Sequence, residues 1–382
     1  PVSDYRRPNA LLTQLRYQEL LNFWSSPSLW TSDSANNPFD QRHEAIYELD
    51  DDLFLSVLGA LHSVFPHYRA YLVGDSDVAV VASLAELPDP DWSVIENERF
   101  RLLAAGVPPF LGQHLEAELL FDSRLMAPLL RREPSPVNSD YRPYLDLGAD
   151  RARFEQRTAA GIHALATGRV DLTRLAGPRP RPPLPFRMPP ARGLAGSLLA
   201  ERAAWLRSAL EAGGGVAPEE YPEWQEDLLH LAAFQSVAGS DVGPSDWRAW
   251  TRDFVRAEGA LHHGTAGWVD PRFYGFVLPL LERSAAPPEA RAAVELLRST
   301  SLGLWDDALS AASVLLAPVA AGEFWVPPDL LLDAVVLSAG RGGRADAALQ
   351  ALDVLGPVIS AARRGAHVAL MRAWAEGDPG GG

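Results

Sequence analysis

Tyr68-Arg69-Ala70-Tyr71-Leu72-Val73-Gly74-Asp75-Ser76-Asp77-Val78-Ala79-Val80-Val81-Ala82-Ser83 is the stretch that separates a mixed fold from a purely helical one. Two strand-like runs, Tyr68 to Val73 and Val78 to Ser83, flank the polar joint Gly74 to Asp77. Such a joint between apolar runs predicts a β-hairpin. Upstream, Asp50, Asp51 and Asp52 suit a helix N-terminus, where free amides and the dipole favour negative charge. Leu53, Val57, Leu58, Leu61, Val64 and Phe65 follow at helical spacing, and Pro66 stops the helix. Further upstream, Phe39 to Leu49 reads as a strand by alternation, residues 25–38 as a polar loop, and Thr13 to Trp24 as a helix.

Downstream, short helices are expected around Asn97 to Ala105, Phe110 to Phe121 and Ser123 to Arg131, and another over 149–168. The segment Gly177 to Pro190 is rich in Pro and Arg, which excludes helix and sheet and favours an extended spacer. From Ala191 to Glu376 the pattern is helical throughout, and Gly213-Gly214-Gly215 closes one helix. Gly303-Leu304-Trp305-Asp306-Asp307-Ala308-Leu309 and Gly343-Arg344-Ala345-Asp346-Ala347-Ala348-Leu349 resemble each other at a spacing of 40 residues. Small residues at a fixed phase are what stacked helical hairpins need, and the pair resembles a tetratricopeptide-like repeat. The expected fold class is therefore α/β followed by all-α. The expected parts are an α/β region over 1–148, a helix and Pro/Arg-rich linker over 149–190, a helical domain over 191–376 and a flexible tail over 377–382.

The 382 residues are 47% hydrophobic and 22% charged, as in a globular protein. The net charge is -15 and no Lys occurs, so every basic side chain is Arg. An acidic surface repels phosphate backbones and anionic membranes, so no nucleic-acid partner is expected. Without Cys there are no disulfides, thiolate nucleophiles or Cys-ligated zinc. No stretch reaches the roughly 18 apolar residues of a membrane-crossing helix, so no membrane insertion is expected. The usage of Ala, Arg, Gly and Pro suggests a high-GC bacterial source, without fixing the compartment. The opening Pro1-Val2-Ser3-Asp4-Tyr5 reads as an internal start.

Four pieces carry a family resemblance, in order over about 146 residues: Ala10-Leu11-Leu12-Thr13 with Tyr17-Gln18-Glu19-Leu20; Gln41 to Asp50; Phe65-Pro66-His67 with Val78 to Ser83; and Asn138 to Asp146. They resemble the bacterial spermidine synthase-like proteins, many of which are fused to membrane segments. The resemblance implies the C-terminal half of a Rossmann-like, methyltransferase-type sheet. It also implies a Gly-rich turn and a ribose-binding acid upstream of Pro1. The family's acidic loop, which orients the attacking amine, falls near Ser3-Asp4-Tyr5, so Asp4 is the candidate catalytic carboxylate. Asp140 and Arg142, from the last piece, are candidate substrate-binding residues. Asp140-Tyr141 stands where the family has paired Asp, and one acid of the first pair is absent or altered.

Other candidates are weaker. His262-His263 near Asp270 has no third ligand at a recognisable spacing, and His114 and Glu116 diverge on a helix, so no metal is expected. The Trp-rich helical half suits core and inter-helix packing. The expected function is a non-catalytic binding or scaffold protein, or a subunit of a larger assembly, built on a degenerate spermidine synthase-like domain with a helical module for a protein partner. Association with a membrane protein fits that reading. No cofactor is expected for this chain. The alternative is an aminopropyl- or methyltransferase acting on an amine, using S-adenosylmethionine or its decarboxylated form, if an upstream segment supplies the cofactor-binding half.

Overall fold

The computed structural model describes residues 49–73, 77–97, 112–132, 144–155, 157–179, 181, 183–184, 186, 195–238, 243–360 and 365–377. The expected helix over 13–24, the strand over 39–49 except its last residue, the helix over 97–105 except its first residue, the three site residues Asp4, Asp140 and Arg142, and the tail over 377–382 except its first residue lie outside them.

Helix α1 (Asp51–Val64) starts as its acidic run dictates: the Asp50 carboxylate accepts the Leu53 N–H at 3.0 Å, and Asp51 and Asp52 fill the first turn. Strands β1 (His67–Val73) and β2 (Asp77–Ser83) are antiparallel, with His67 opposite Ser83 and Val73 opposite Asp77. A third strand, β3 (Leu119–Asp122), pairs antiparallel with the other edge of β1, giving the order β2-β1-β3. The described part is thus mainly helical with a small antiparallel sheet. A doubly wound sheet rests on parallel strands, and none of the described pairings is parallel.

The expected helix over Phe110 to Phe121 is corrected here. After the short helix α2 (Ser93–Glu96), helix α3 (Gly112–Ala117) stops short, and the apolar run Leu119-Leu120-Phe121 extends against β1 instead. Four residues carry too little periodicity to separate helix from strand, and the open edge of β1 decides. Helix α4 (Ser123–Arg132) follows directly. The helix expected over 149–168 is two: α5 (Tyr144–Phe154) and α6 (Ala160–Thr167). The second one begins where Asp51 accepts N–H groups of Gly161 and Ile162, at 3.1 and 3.3 Å. A 3-10 turn, Leu172–Ala176, leads into the Pro/Arg segment.

The helical remainder comprises α7 (Ala195–Glu211), α8 (Glu223–Ala238), α9 (Trp247–His262), α10 (Pro271–Arg283), α11 (Pro288–Leu302), α12 (Trp305–Leu316), α13 (Pro328–Gly342), α14 (Ala345–Leu355) and α15 (Ala366–Glu376). Gly213 and Gly214 close α7, the latter donating to Ala209 O at 2.8 Å. The similar heptapeptides prove to be the joints of two consecutive hairpins, α11–α12 and α13–α14. Gly303 and Gly343 cap the first helices at φ 79 and 66, the left-handed region that glycine enters freely. Pro287-Pro288 and Pro327-Pro328 open both hairpins, also 40 residues apart, where a first-turn Pro has no helical N–H to lose. Burial repeats residue for residue between 305–316 and 345–356, differing only where exposed Asp307 meets half-buried Ala347.

Helix α13 is buried on every side, from Leu330 through Ala339, because α11, α12, α14, α15 and the 3-10 turn all touch it. Helix α15 closes the array onto the sheet side, packing on α4 and α6. Asp51 reinforces that closure by accepting the Ala366 N–H at 3.2 Å, so a single carboxylate serves the N-termini of two helices. Trp374 Nε1 donates to Leu125 O at 2.8 Å across the same junction. One hydrophobic cluster runs from Phe54 to Ala375. Among the described residues, no helix is long and apolar enough to cross a membrane.

Candidate functional site

Strand β1 alternates strictly. Tyr68, Ala70 and Leu72 are buried in the core, while Arg69 and Tyr71 stand on the opposite face. The register of β3 completes that face: Asp122 lies opposite Arg69 and Leu119 opposite Tyr71. A bulge between Ala70 and Tyr71 absorbs the extra Leu120, which stays fully buried. The result is a cleft of about 450 Å³, floored by Arg69, Tyr71 and Leu119 and walled by Gln113, Glu116 and Ala117 of α3. The Pro/Arg segment supplies its far side through Pro178, Arg179, Arg181 and Leu184. A second groove of about 460 Å³ continues past Arg69, Asp89 and Arg124 to His67 and Asp122.

The extended segment expected as a spacer is therefore packed against the body over its described residues. Arg181 exchanges backbone hydrogen bonds with Ala266, each 3.0 Å. Leu184 is buried. Gly264 borders the cleft at φ 72, and a Cβ there would meet Ala200 Cβ at 2.9 Å, so the loop after α9 needs glycine to lie against α7.

Among the described residues the cleft lining gathers four arginines and two carboxylates, Asp89 and Glu116. Arg69 donates to Pro88 O at 2.7 Å and to Asp89 at 3.1 Å, which fixes the loop after β2. Asp122 is buried and receives Arg124 at 3.0 Å and Arg179 at 2.5 Å, while its other oxygen accepts the Leu125 N–H at 2.9 Å and caps α4. Arg181 Nε lies 3.3 Å from Asp171, but its Nη2 is buried with no hydrogen-bond partner among the described residues. Trp92 donates to Glu116 at 2.6 Å and meets the Tyr71 ring edge-on. Burial, helped by the Glu116 charge, pushes the Tyr71 hydroxyl up to about 12, so it stays protonated at neutral pH.

Several other buried polar groups have internal partners, whereas Tyr68 Oη, Trp250 Nε1 and Ser338 Oγ are, like Arg181 Nη2, buried without one among the described residues. His262 uses both ring nitrogens: Nε2 accepts the Asp270 N–H at 2.8 Å, which leaves Nδ1 to donate to Glu258 O at 3.0 Å. Burial, with Arg169 and Arg207 nearby, takes His262 down to about 3, and burial with Arg202 does the same to His263. Arg169 pairs with Glu258 beside them. His114 and Glu116 diverge as their spacing requires, His114 lying 2.8 Å from Glu201 on α7. His367 Nε2 lies 2.8 Å from Asp333 inside the array. Among the described residues no group of three His, Asp or Glu could hold a metal.

Sequence reasoning did not single out Arg69, Tyr71, Arg179 or Arg181, and weighed Glu116 only as a metal ligand. Period-2 alternation in β1 was the available signal for the first two. The other three come together only through α3 and the packed Pro/Arg segment. No family model, curated protein or solved structure matches this chain.

Proposed function

We propose that the chain is a non-catalytic binding and scaffold protein, a component of a larger assembly, which offers the outer face of its helical array to a protein partner. The observation that carries this reading is the repeated burial pattern of α12 and α14, which leaves Val314 and Val354 at equivalent exposed positions. Leu304, before α12, and Val358, after α14, are exposed as well. Stacked helical pairs build extended surfaces suited to protein partners. Kinship with the spermidine synthase-like proteins, with a Rossmann-like sheet as the parent of β1 and β2, belongs to the same proposal. It is supported by α1 followed by the hairpin, in the order that the resembling pieces require.

Two measurements test the proposal. Calorimetric titration with S-adenosylmethionine, its decarboxylated form and methylthioadenosine is expected to show no binding. Micromolar binding of any of them overturns the non-catalytic reading in favour of an aminopropyl- or methyltransferase. Affinity capture from a bacterial lysate with the wild-type chain and with a Val314→Glu/Val354→Glu variant is expected to show a partner lost from the variant. Equal capture by both overturns the assignment to this face.

A further inference from the structure

We infer that the cleft between the sheet and the Pro/Arg segment binds a small organic oxyanion, its carboxylate or phosphate held by Arg179 and Arg181 and its carbon body lying against Tyr71 and Leu184. This goes beyond the scaffold reading and does not depend on it, because the cleft and the array face are different surfaces.

Three observations converge. The first is size: about 450 Å³ is room for a small metabolite and not merely for an ion. The second is charge. In a chain of net charge -15, Arg69, Arg124, Arg179 and Arg181 gather at one cleft, with Asp89 and Glu116 in its described lining and Asp122 and Asp171 paired to the arginines. Arg69 is paired with Asp89, and Arg124 and Arg179 with Asp122, so Arg181, beside Asp171, is the guanidinium that keeps an unpartnered donor. Guanidinium groups present paired donors that match carboxylate and phosphate oxygens. The third is an unmet donor. Arg181 Nη2 is buried without a hydrogen-bond partner among the described residues, although its guanidinium lines the cleft. Tyr68 Oη and Trp250 Nε1 are also buried without a partner, but of these three only Arg181 lines the cleft, where an anion settling against its guanidinium would supply one. The acidic remainder of the surface sets the class of ligand. It disfavours nucleic-acid and membrane phosphates at long range, while a compact anion inside the cleft meets the arginines at short range.

The test is titration calorimetry on the full chain at low salt with phenyl phosphate, benzoate and benzylamine. Phenyl phosphate or benzoate is expected to bind, the stronger of the two identifying the head group, and benzylamine is not. Arg181→Gln is expected to weaken binding about tenfold or more, the size of one charge-assisted hydrogen bond. Arg298→Gln, on α11 away from the cleft, should leave it unchanged. If Arg181→Gln fails to fold, Arg124→Gln serves, since that side chain is mostly exposed, and a loss of about threefold or more is expected from the weaker field. Absence of binding by both anions, binding of benzylamine as tight as theirs, or wild-type affinity in the folded cleft variants overturns the inference.

Discussion

The paired hairpins at 288–316 and 328–355 and the sheet face at 67–122 bury their residues by different rules. In the hairpins, a residue's environment follows from its phase in a 40-residue period: Ala308 and Ala348 are buried, Val314 and Val354 exposed, with the same glycine caps and proline starts. On the sheet face, each environment depends on a distant partner. Arg69 faces Asp122, Asp122 receives Arg179, and Arg181 is held by Ala266. The difference teaches where a binding site arises in this fold. Repetition yields a uniform surface, whereas convergence of remote segments concentrates charge in one cleft.

The largest test of this contrast is acid, because the histidines held neutral by burial, His262 and His263, sit on the helical side. Their folded values near 3 lie below the ordinary 6.5, so folding favours the neutral forms. Their contribution is complete above about pH 6.5 and is lost as pH falls toward 3, at about 1.4 kcal/mol per unit for each group. Urea unfolding at pH 7, 5 and 4 should show stability falling steeply. His262→Gln should flatten the slope, and a wild-type profile level over that range would refute the account.

Next come core truncations on either side of the contrast. Phe121→Ala in β3 and Leu337→Ala in α13 remove fully buried side chains, each expected to cost about 2–5 kcal/mol. Because one hydrophobic cluster spans both regions, circular dichroism and Trp fluorescence should report a single, shifted transition for either variant. Two separated transitions would show that the sheet side and the array unfold independently.

Smaller still is the loss of the junction carboxylate. Asp51→Ala orphans N–H groups of Gly161, Ile162 and Ala366, and should cost about 1–3 kcal/mol. Hydrogen exchange should rise first at the starts of α6 and α15, and unchanged protection there would remove Asp51 as the tie between the regions. Smallest is Val354→Ser on the outer face, expected to shift stability by less than about 0.5 kcal/mol. A larger loss by thermal melting would mean that this valine is part of the fold and not of a free surface.

Much of this was legible locally. The Asp50–Asp52 run and Pro66 bound α1, the Gly-Asp-Ser-Asp joint marks the hairpin, and the repeated heptapeptides mark the joints of the array. The Pro-Pro starts carried the same period and went unread. The candidate site was barely legible. Asp4, Asp140 and Arg142 came from family resemblance and lie outside the described residues. The arginines of 179–181 read as part of a spacer, since nothing within a Pro-rich stretch says what it packs against.

By itself, then, the amino-acid sequence determined which segments are helix or hairpin, where helices start and stop, and that the array repeats every 40 residues. Those follow from caps, prolines and periodicity acting within a turn or two. Tertiary structure alone decided that Leu119 to Asp122 would be a strand, that 149–168 would break at Asp51's carboxylate, and that arginines separated by more than 100 residues would share a cleft. Those outcomes depend on an open strand edge, a half-buried carboxylate seeking donors and a register set by a bulge. Each is a property of partners brought together by folding, which no local window contains.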